Sequence, residues 1–390
     1  MLVPEKVLTA LIAKRKRFTT SKRSQEEALT AMEHALSDFD GLSLEECEAK
    51  LKEIPRPGAH PSSEKESHQG VVVPFSERWS NHAQARAWAM EILKGKPTFA
   101  ADGSQIVPSS ELSIPVGVVQ VGWFENPHQA QGDYVKDVAV EILTPEELGD
   151  EPKETDGFPG WTINFRRFRR EIEVIVEYME RKAGTKPAPL CFFDGSLIIS
   201  FAGLMAPERQ RQYAEAVTQL IDTSAKTKVP LVGYVDTSAA RDLVDMLAHL
   251  SDATVADRIS DATLLRTGMS WGDRSQIFIC ARNDNMQFNE YYEQVCFSYL
   301  KTTRRHPPAR VEFPRWIVMA GEHERLFDLV RSECIVGTGY PYALETADAL
   351  AVLGAQDRER FYRLFQKFSE SEGLALHYGR KAISKRGRRR

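Results

Sequence analysis

Cysteine is sparse and scattered in this chain: Cys47, Cys191, Cys280, Cys296 and Cys334, with no CxxC spacing. That argues against a thiolate zinc site and against a disulfide framework, and Cys191 and Cys280, set in apolar runs, read as reduced core residues. No apolar stretch approaches the roughly 18 residues needed to cross a bilayer. Charge resumes at Lys14 before a signal-peptide h-region can form. The expectation is a cytoplasmic protein without membrane contact. A GxSxG elbow, a supported Cys–His pair and a Walker A loop are also lacking, so neither an acyl-transfer triad nor a nucleotide motor is expected.

The 390 residues carry a formal net charge of only −4, but the charge is unevenly placed. Lys14 to Arg17, Lys22 and Arg23 crowd one end, and Arg380 to Arg390 the other, while Glu146 to Asp156 is acidic. Such a distribution suits a protein that holds cations in a cleft and meets phosphates with its ends, although a solvated tail explains the last residues as well. Helical periodicity marks residues 1 to about 53, with Val7, Leu8, Leu11 and Ile12 as an apolar stripe. That stripe either folds back onto the domain, the favoured reading, or meets a partner or second protomer. A Pro/Ser/His/Glu-rich stretch from Pro55 to Gly70 reads as a linker or flexible loop. Three β-rich runs (97–104, 114–124, 136–144) predict an antiparallel meander. A helix from about Phe165 to Lys182, the apolar run PAPLCFFDGSLII, and then alternating helices and strands follow. The pattern predicts a mixed α/β fold, a mixed sheet flanked by helices with an N-terminal helical extension. Its expected divisions are 1–70, 71–378 and a basic tail at 379–390.

Asp102 and Asp194 each close an apolar run and are each followed by Gly-Ser. One such Asp-Gly is usually a turn that ends a strand. If the two strands are neighbours, about 4.8 Å apart, the two carboxylates could both reach one cation or bridge two, and without cations they would repel. Glu171, at the edge of the apolar face of the intervening helix, is the candidate third carboxylate; Glu173 and Glu177 read as surface residues. Arg166, Arg167, Arg169 and Arg170 beside it are candidate DNA-phosphate contacts or a solvated face. Trp123, Phe124, Trp161, Phe193 and Tyr340 are candidates to stack on unpaired bases, Phe193 being the more core-like. Asp236 reads either as a further ligand or, by preference, as the N-cap of a helix starting near Ala239. His128 and His306, beside prolines, read as loop residues.

Taken together, ADGS at 101–104, the Arg-rich helix with Glu171, FFDGSL at 192–197 and TGYPYALETADALA at 338–351 resemble the NurA family. The resemblance spans roughly residues 95 to 355. It implies an RNase H-like fold and a metal-dependent nuclease, a 5′–3′ exonuclease and/or single-strand endonuclease. It also implies a homodimer acting on single-stranded or duplex DNA ends with a HerA-like hexameric ATPase. By position, Asp102 and Asp194 correspond to the family's metal-binding aspartates, Glu171 to its helical glutamate and Tyr340 to the tyrosine of its GYP segment. Eight residues past that tyrosine the family has histidine, where this chain has Asp348. An aspartate binds metal but shuttles protons less well near neutral pH.

Phosphodiester hydrolysis needs an activated water and stabilised charge on the attacked phosphorus and leaving oxygen. Mn2+ or Mg2+ held by Asp102, Asp194 and Glu171 supplies these without a protein nucleophile. The substitution at 348 keeps a second reading open, a catalytically weak RNase H-like subunit that binds DNA or supports assembly. Asp348 itself also reads as a plain helix-surface carboxylate.

Overall fold

The computed structural model describes residues 2–109, 112–149, 160–251 and 259–377. Part of the acidic stretch and the basic residues from Arg380 onward lie outside them. The chain forms two compact units, one of residues 1–80, 235–284 and 292–315, the other of residues 81–234, 285–291 and 316–390.

In chain order the first unit opens with helices α1 (Pro4–Ala13), α2 (Arg15–Gly41) and α3 (Leu44–Leu51), then β1 (Gly58–Pro61), α4 (Glu64–Ser67) and β2 (Val72–Val73). The second unit follows with α5 (His82–Leu93), β3 (Thr98–Ile106), β4 (Gly117–Asn126), β5 (Val135–Leu143), α6 (Pro145–Leu148), α7 (Trp161–Arg181), β6 (Leu190–Asp194), α8 (Pro207–Thr227) and β7 (Leu231–Val235). The chain returns to the first unit for α9 (Asp242–Ser251), α10 (Asp261–Leu265), β8 (Arg274–Ser275), β9 (Phe278–Ala281), β10 (Val295–Leu300) and β11 (Ala309–Pro314). It ends in the second with α11 (Trp316–Met319), α12 (His323–Val336), α13 (Tyr342–Ala351) and α14 (Ala355–Ser371).

The strands of the second unit run in the order β5-β4-β3-β6-β7. β3, β4 and β5 form the expected antiparallel meander, whereas β3 pairs parallel with β6 and β6 with β7. Parallel neighbours need a crossover, and the 21-residue helices α7 and α8 provide the two crossovers. α7 starts at Trp161, four residues ahead of the expected Phe165. Its Ile172, Ile175 and Met179 are fully buried, as their helical spacing requires. β6 reads Leu-Cys-Phe-Phe and is buried throughout up to Asp194, which is exposed. This is the mixed, helix-flanked α/β sheet expected from the sequence.

In the first unit, β1, β9, β10 and β11 are successive antiparallel neighbours, and β8 joins β2 to β10. The 55–70 stretch is therefore no linker. Gly58 to Pro61 pair with Phe278 to Ala281, and Gly58 sits at φ +96°, where a β-carbon would collide with the Asp242 carbonyl oxygen. The five cysteines are free and buried. α1 does not fold back: none of its residues is buried, and Leu8, Leu11 and Ile12 are exposed.

A buried ionic network organises the first unit. The Arg310 guanidinium, fully enclosed, pairs with Asp242 at 2.7 Å and Glu312 at 2.6 Å and lies 3.9 Å over the Phe297 ring. Asp261 receives the backbone N–H groups of Leu243 and Val244 at the start of α9 and the Tyr299 hydroxyl at 2.8 Å. Burial, with the neighbouring Asp242 charge, pushes the Asp261 carboxyl up to about 7. Removing one partner from such a network leaves charges buried without compensation. Arg310→Met is expected to cost about 3–5 kcal/mol of unfolding free energy in urea titrations, and a cost below about 1 kcal/mol would contradict this account.

Candidate metal centre

Parallel, in-register pairing is what brings the two Asp-Gly motifs together. Ala101 is paired with Phe193, so Asp102 and Asp194 are each one step beyond a paired residue and share a face of the sheet. Their surroundings differ. β3 does not end at Asp102, as its sequence implied; it runs on to Ile106 because β4 continues opposite it, with Asp102 facing Gly122 and Gly103 facing Val121. β6 does end at Asp194, and Gly195 turns the chain at φ +137°, a conformation suited to glycine.

Three glycines let other elements approach the aspartates. A β-carbon on Gly122 would come within 2.8 Å of the Ala351 nitrogen and the Leu350 β-carbon, so this glycine admits the end of α13. A β-carbon on Gly103 would collide with the Glu171 carboxylate and lie 2.9 Å from the Arg167 γ-carbon, so α7 sits equally close. One on Gly233 would lie 2.8 Å from the Gly195 carbonyl oxygen. Through these contacts α13 brings the exposed Asp348 within hydrogen-bonding reach of Asp102, and α7 brings the buried Glu171 beside both aspartates.

The segment before α13 contributes Tyr340, whose hydroxyl donates to Asp194 Oδ1 at 2.8 Å. Its ring packs edge-on against Tyr234, 5.3 Å between centroids, and the Tyr234 hydroxyl donates to the Gly339 carbonyl. Gly337 and Gly339 permit the tight path: a β-carbon at 337 would lie 2.1 Å from the Tyr340 carbonyl oxygen, and Gly339 has φ +120°. Glu333 of α12, fully buried, sets the start of α13. It accepts the Ala343 N–H at 2.8 Å and the Thr98 hydroxyl at 2.9 Å, and lies 3.1 Å from His128 Nε2. His128 is thus a loop residue by position but a buried anchor by contact. Neither it nor Glu333 carries a sequence signal, since one is a single histidine after a proline and the other one acid among apolar helix residues.

The electrostatics follow from crowding. Burial, then the Asp194 and Asp348 charges, push the Asp102 carboxyl up to about 6, against the pull of the Gly103 N–H donating to it at 2.8 Å. Burial pushes Glu171 up to about 8, opposed by Arg167, which ion-pairs with it. The Arg167 Nε is buried with no hydrogen-bond partner among the described residues. Glu171 is held by the Arg167 guanidinium, while Asp102, Asp194 and Asp348 place further negative charge beside it; hard oxygen donors with excess negative charge suit a divalent cation such as Mn2+ or Mg2+.

Asp102, Asp194, Asp348, Glu171 and Tyr340 are therefore neighbours. The other three candidate DNA-contact arginines of α7 hold ion pairs of their own: Arg166 with Glu141, Arg169 with Glu173, and Arg170 with Glu173 and Glu177. Asp236 caps no helix, because α9 begins at Asp242; its carboxylate accepts the neighbouring Thr237 hydroxyl. His306 lies exposed in the β10–β11 loop. Phe124 and Phe193 are core residues, and Trp161 is stacked on Phe165 under Arg209.

Residues 96–353 match the NurA domain, about two thirds of the chain. The chain belongs to the NurA nuclease family. No curated protein matches it. Solved structures similar to it include a NurA crystallised with manganese, at 8% identity over 70% of this chain and 89% of that one, with a TM-score of 0.43. Endonuclease V of Bacillus subtilis is similar at 14% identity, covering 70% and 83%, TM-score 0.34. The catalytic domain of human endonuclease V shares 14% identity over 78% and 93%, TM-score 0.34. Within the NurA domain of this chain lie all five clustered residues.

Asp102 and Glu171 take up protons on folding between the ordinary carboxylate values, 3.8 and 4.5, and the raised ones. The folded state then binds more protons than the unfolded one, so without metal its stability falls as pH rises through that window. Asp102→Asn removes the repulsion. In EDTA it is expected to raise the melting temperature over wild type, more at pH 7.5 than at pH 4.5. A variant less stable than wild type at pH 7.5 would show that the crowding is not a source of strain.

Proposed function

We propose that this NurA domain is a divalent-metal-dependent deoxyribonuclease, with Asp102, Asp194 and Glu171 as the metal-holding carboxylates and Asp348 and Tyr340 as their catalytic neighbours. The observation that carries the reading is the in-register placement of Asp102 beside Asp194, with Asp348 in hydrogen-bonding reach of Asp102. When bound, Mn2+ or Mg2+ supplies Lewis acidity at the phosphate and a lowered pKa for coordinated water. The residues supply the rest. Tyr340 fixes the orientation of the Asp194 carboxylate. Arg167 keeps Glu171 in place at the buried side and adds positive charge where a phosphate must approach. Below about pH 6 the Asp102 carboxyl, raised to about 6, holds a proton that it must release before it can act as a ligand.

Beyond metal dependence, we assign the family's attributes to this chain: 5′–3′ exonuclease and/or single-strand endonuclease action, in DNA end processing. A HerA-like hexameric ATPase as partner and a homodimeric state belong to the same assignment. One observation favours a second reading, a catalytically weak DNA-binding or assembly subunit: Asp348 occupies the position of the expected histidine.

Digestion of labelled single-stranded and linear duplex DNA separates the two. Cleavage is expected with Mn2+ or Mg2+, and none in EDTA. Asp102→Ala is expected to lower the rate by at least about 100-fold, the scale of losing a group that stabilises transition-state charge. Absence of metal-dependent cleavage by the intact protein, alone and with the ATPase, would leave only the second reading.

A further inference from the structure

The first unit carries a basic and aromatic surface that the carboxylate centre does not use. Three segments form it: residues 74–80, 266–273 and 301–306. Together they hold Arg78, Arg266, Lys301, Arg304 and Arg305 against two carboxylates, Glu77 and Asp273, in a chain whose net charge is −4. Asp273 is buried and already committed. It accepts the Phe75 N–H at 2.9 Å and the Ser270 N–H at 2.8 Å, and pairs with Arg78 at 3.0 Å. The remaining charge is therefore strongly positive.

The aromatic rings are held in place. Trp79 lies 4.8 Å from Trp271 and 5.2 Å from Phe75 between centroids, and Arg304 sits 5.3 Å over the Trp271 ring. Arg304 also donates to the Trp79 and Ser80 carbonyls, tying the third segment to the first. Gly272, at φ +94°, admits the rings, since a β-carbon there would come within 2.8 Å of Phe75 and 3.2 Å of Trp79. The mostly buried Lys301 donates to the Arg266 and His306 carbonyls at 3.3 and 2.8 Å, joining the second segment to the third. Arg266, Arg304 and Arg305 are exposed, and both indoles are half-buried. Rigid indole surface braced by Arg304 and bordered by the exposed Arg266 and Arg305 is the chemistry that holds unpaired nucleotides: bases stack on the rings while arginines meet the phosphates.

We propose that this surface is a second nucleic-acid contact, binding unpaired DNA through the Trp79 and Trp271 rings that Arg304 braces, and its phosphates through Arg266 and Arg305. The inference rests on the nuclease reading only for the choice of DNA as the polymer.

The test measures fluorescence anisotropy of a labelled oligodeoxythymidylate with the intact protein in EDTA, so that no strand is cut. R266E/R305E, at two exposed positions, is expected to melt as wild type does. It should bind at least about tenfold more weakly and with a shallower salt dependence, because two phosphate contacts are lost. Trp271→Leu is expected to weaken binding by roughly tenfold with the salt slope unchanged. Both variants should hydrolyse bis(p-nitrophenyl) phosphate with Mn2+ at the wild-type rate. Wild-type affinity and salt slope in R266E/R305E would overturn the proposal, as would failure of the wild-type protein to bind the oligonucleotide. Loss of the small-substrate hydrolysis in wild type with oligonucleotide binding intact would instead count against the carboxylate centre alone.

Discussion

Two like charges forced side by side are the constraint around which the second unit is built. In-register parallel pairing of β3 and β6 places Asp102 and Asp194 one step beyond a paired residue on adjacent strands. Burial, with the Asp194 and Asp348 charges, raises the Asp102 carboxyl, and a cation held between the two aspartates would relieve that repulsion. The surrounding features serve this placement. Gly122 and Gly103 let α13 and α7 close in, Tyr340 holds Asp194, and Arg167 offsets Glu171. Glu333 acts at one remove, because it ties the first residue of β3 to the first turn of α13 and so fixes where Asp348 can lie.

The first unit solves a different problem. Its ions are buried in matched sets, Arg310 with Asp242 and Glu312, and Arg274 with Glu64, so that charge inside it is neutralised by protein. At the second unit's centre Arg167 pairs with Glu171, and the charges of Asp102, Asp194 and Asp348 beside it are left uncompensated by that arginine. Arg274 and Arg310 therefore read as architecture, whereas the acids of β3, β6, α7 and α13 read as a site awaiting a ligand. The surface of the first unit, with its surplus of arginine around Trp79 and Trp271, is the opposite in sign.

Much of the centre was legible in the sequence because it rests on local signals. A buried β-run ending in Asp-Gly marks Asp194, its echo marks Asp102, and helical spacing puts Glu171 at the edge of the apolar face of α7. The sheet pattern was legible for the same reason, through the alternation of β-rich runs with periodic helices. What was not legible depends on distant partners. Residues 58–61 look like linker by composition and become a strand only because β9 lies opposite them. β3 outruns its apolar segment because β4 continues beside it. The apolar stripe of α1 predicts a buried face, yet no described element covers it. His128 and Glu333 meet across 205 residues of chain, a separation that no local pattern encodes.

Calorimetric titration of the intact protein with Mn2+ near pH 6, repeated in two buffers of different ionisation enthalpy, reports metal occupancy and proton release together. The account predicts binding accompanied by release of protons as Asp102 gives up its own, with both lost in Asp102→Asn. Binding that survives Asp102→Asn unchanged, or no binding at all, would contradict it.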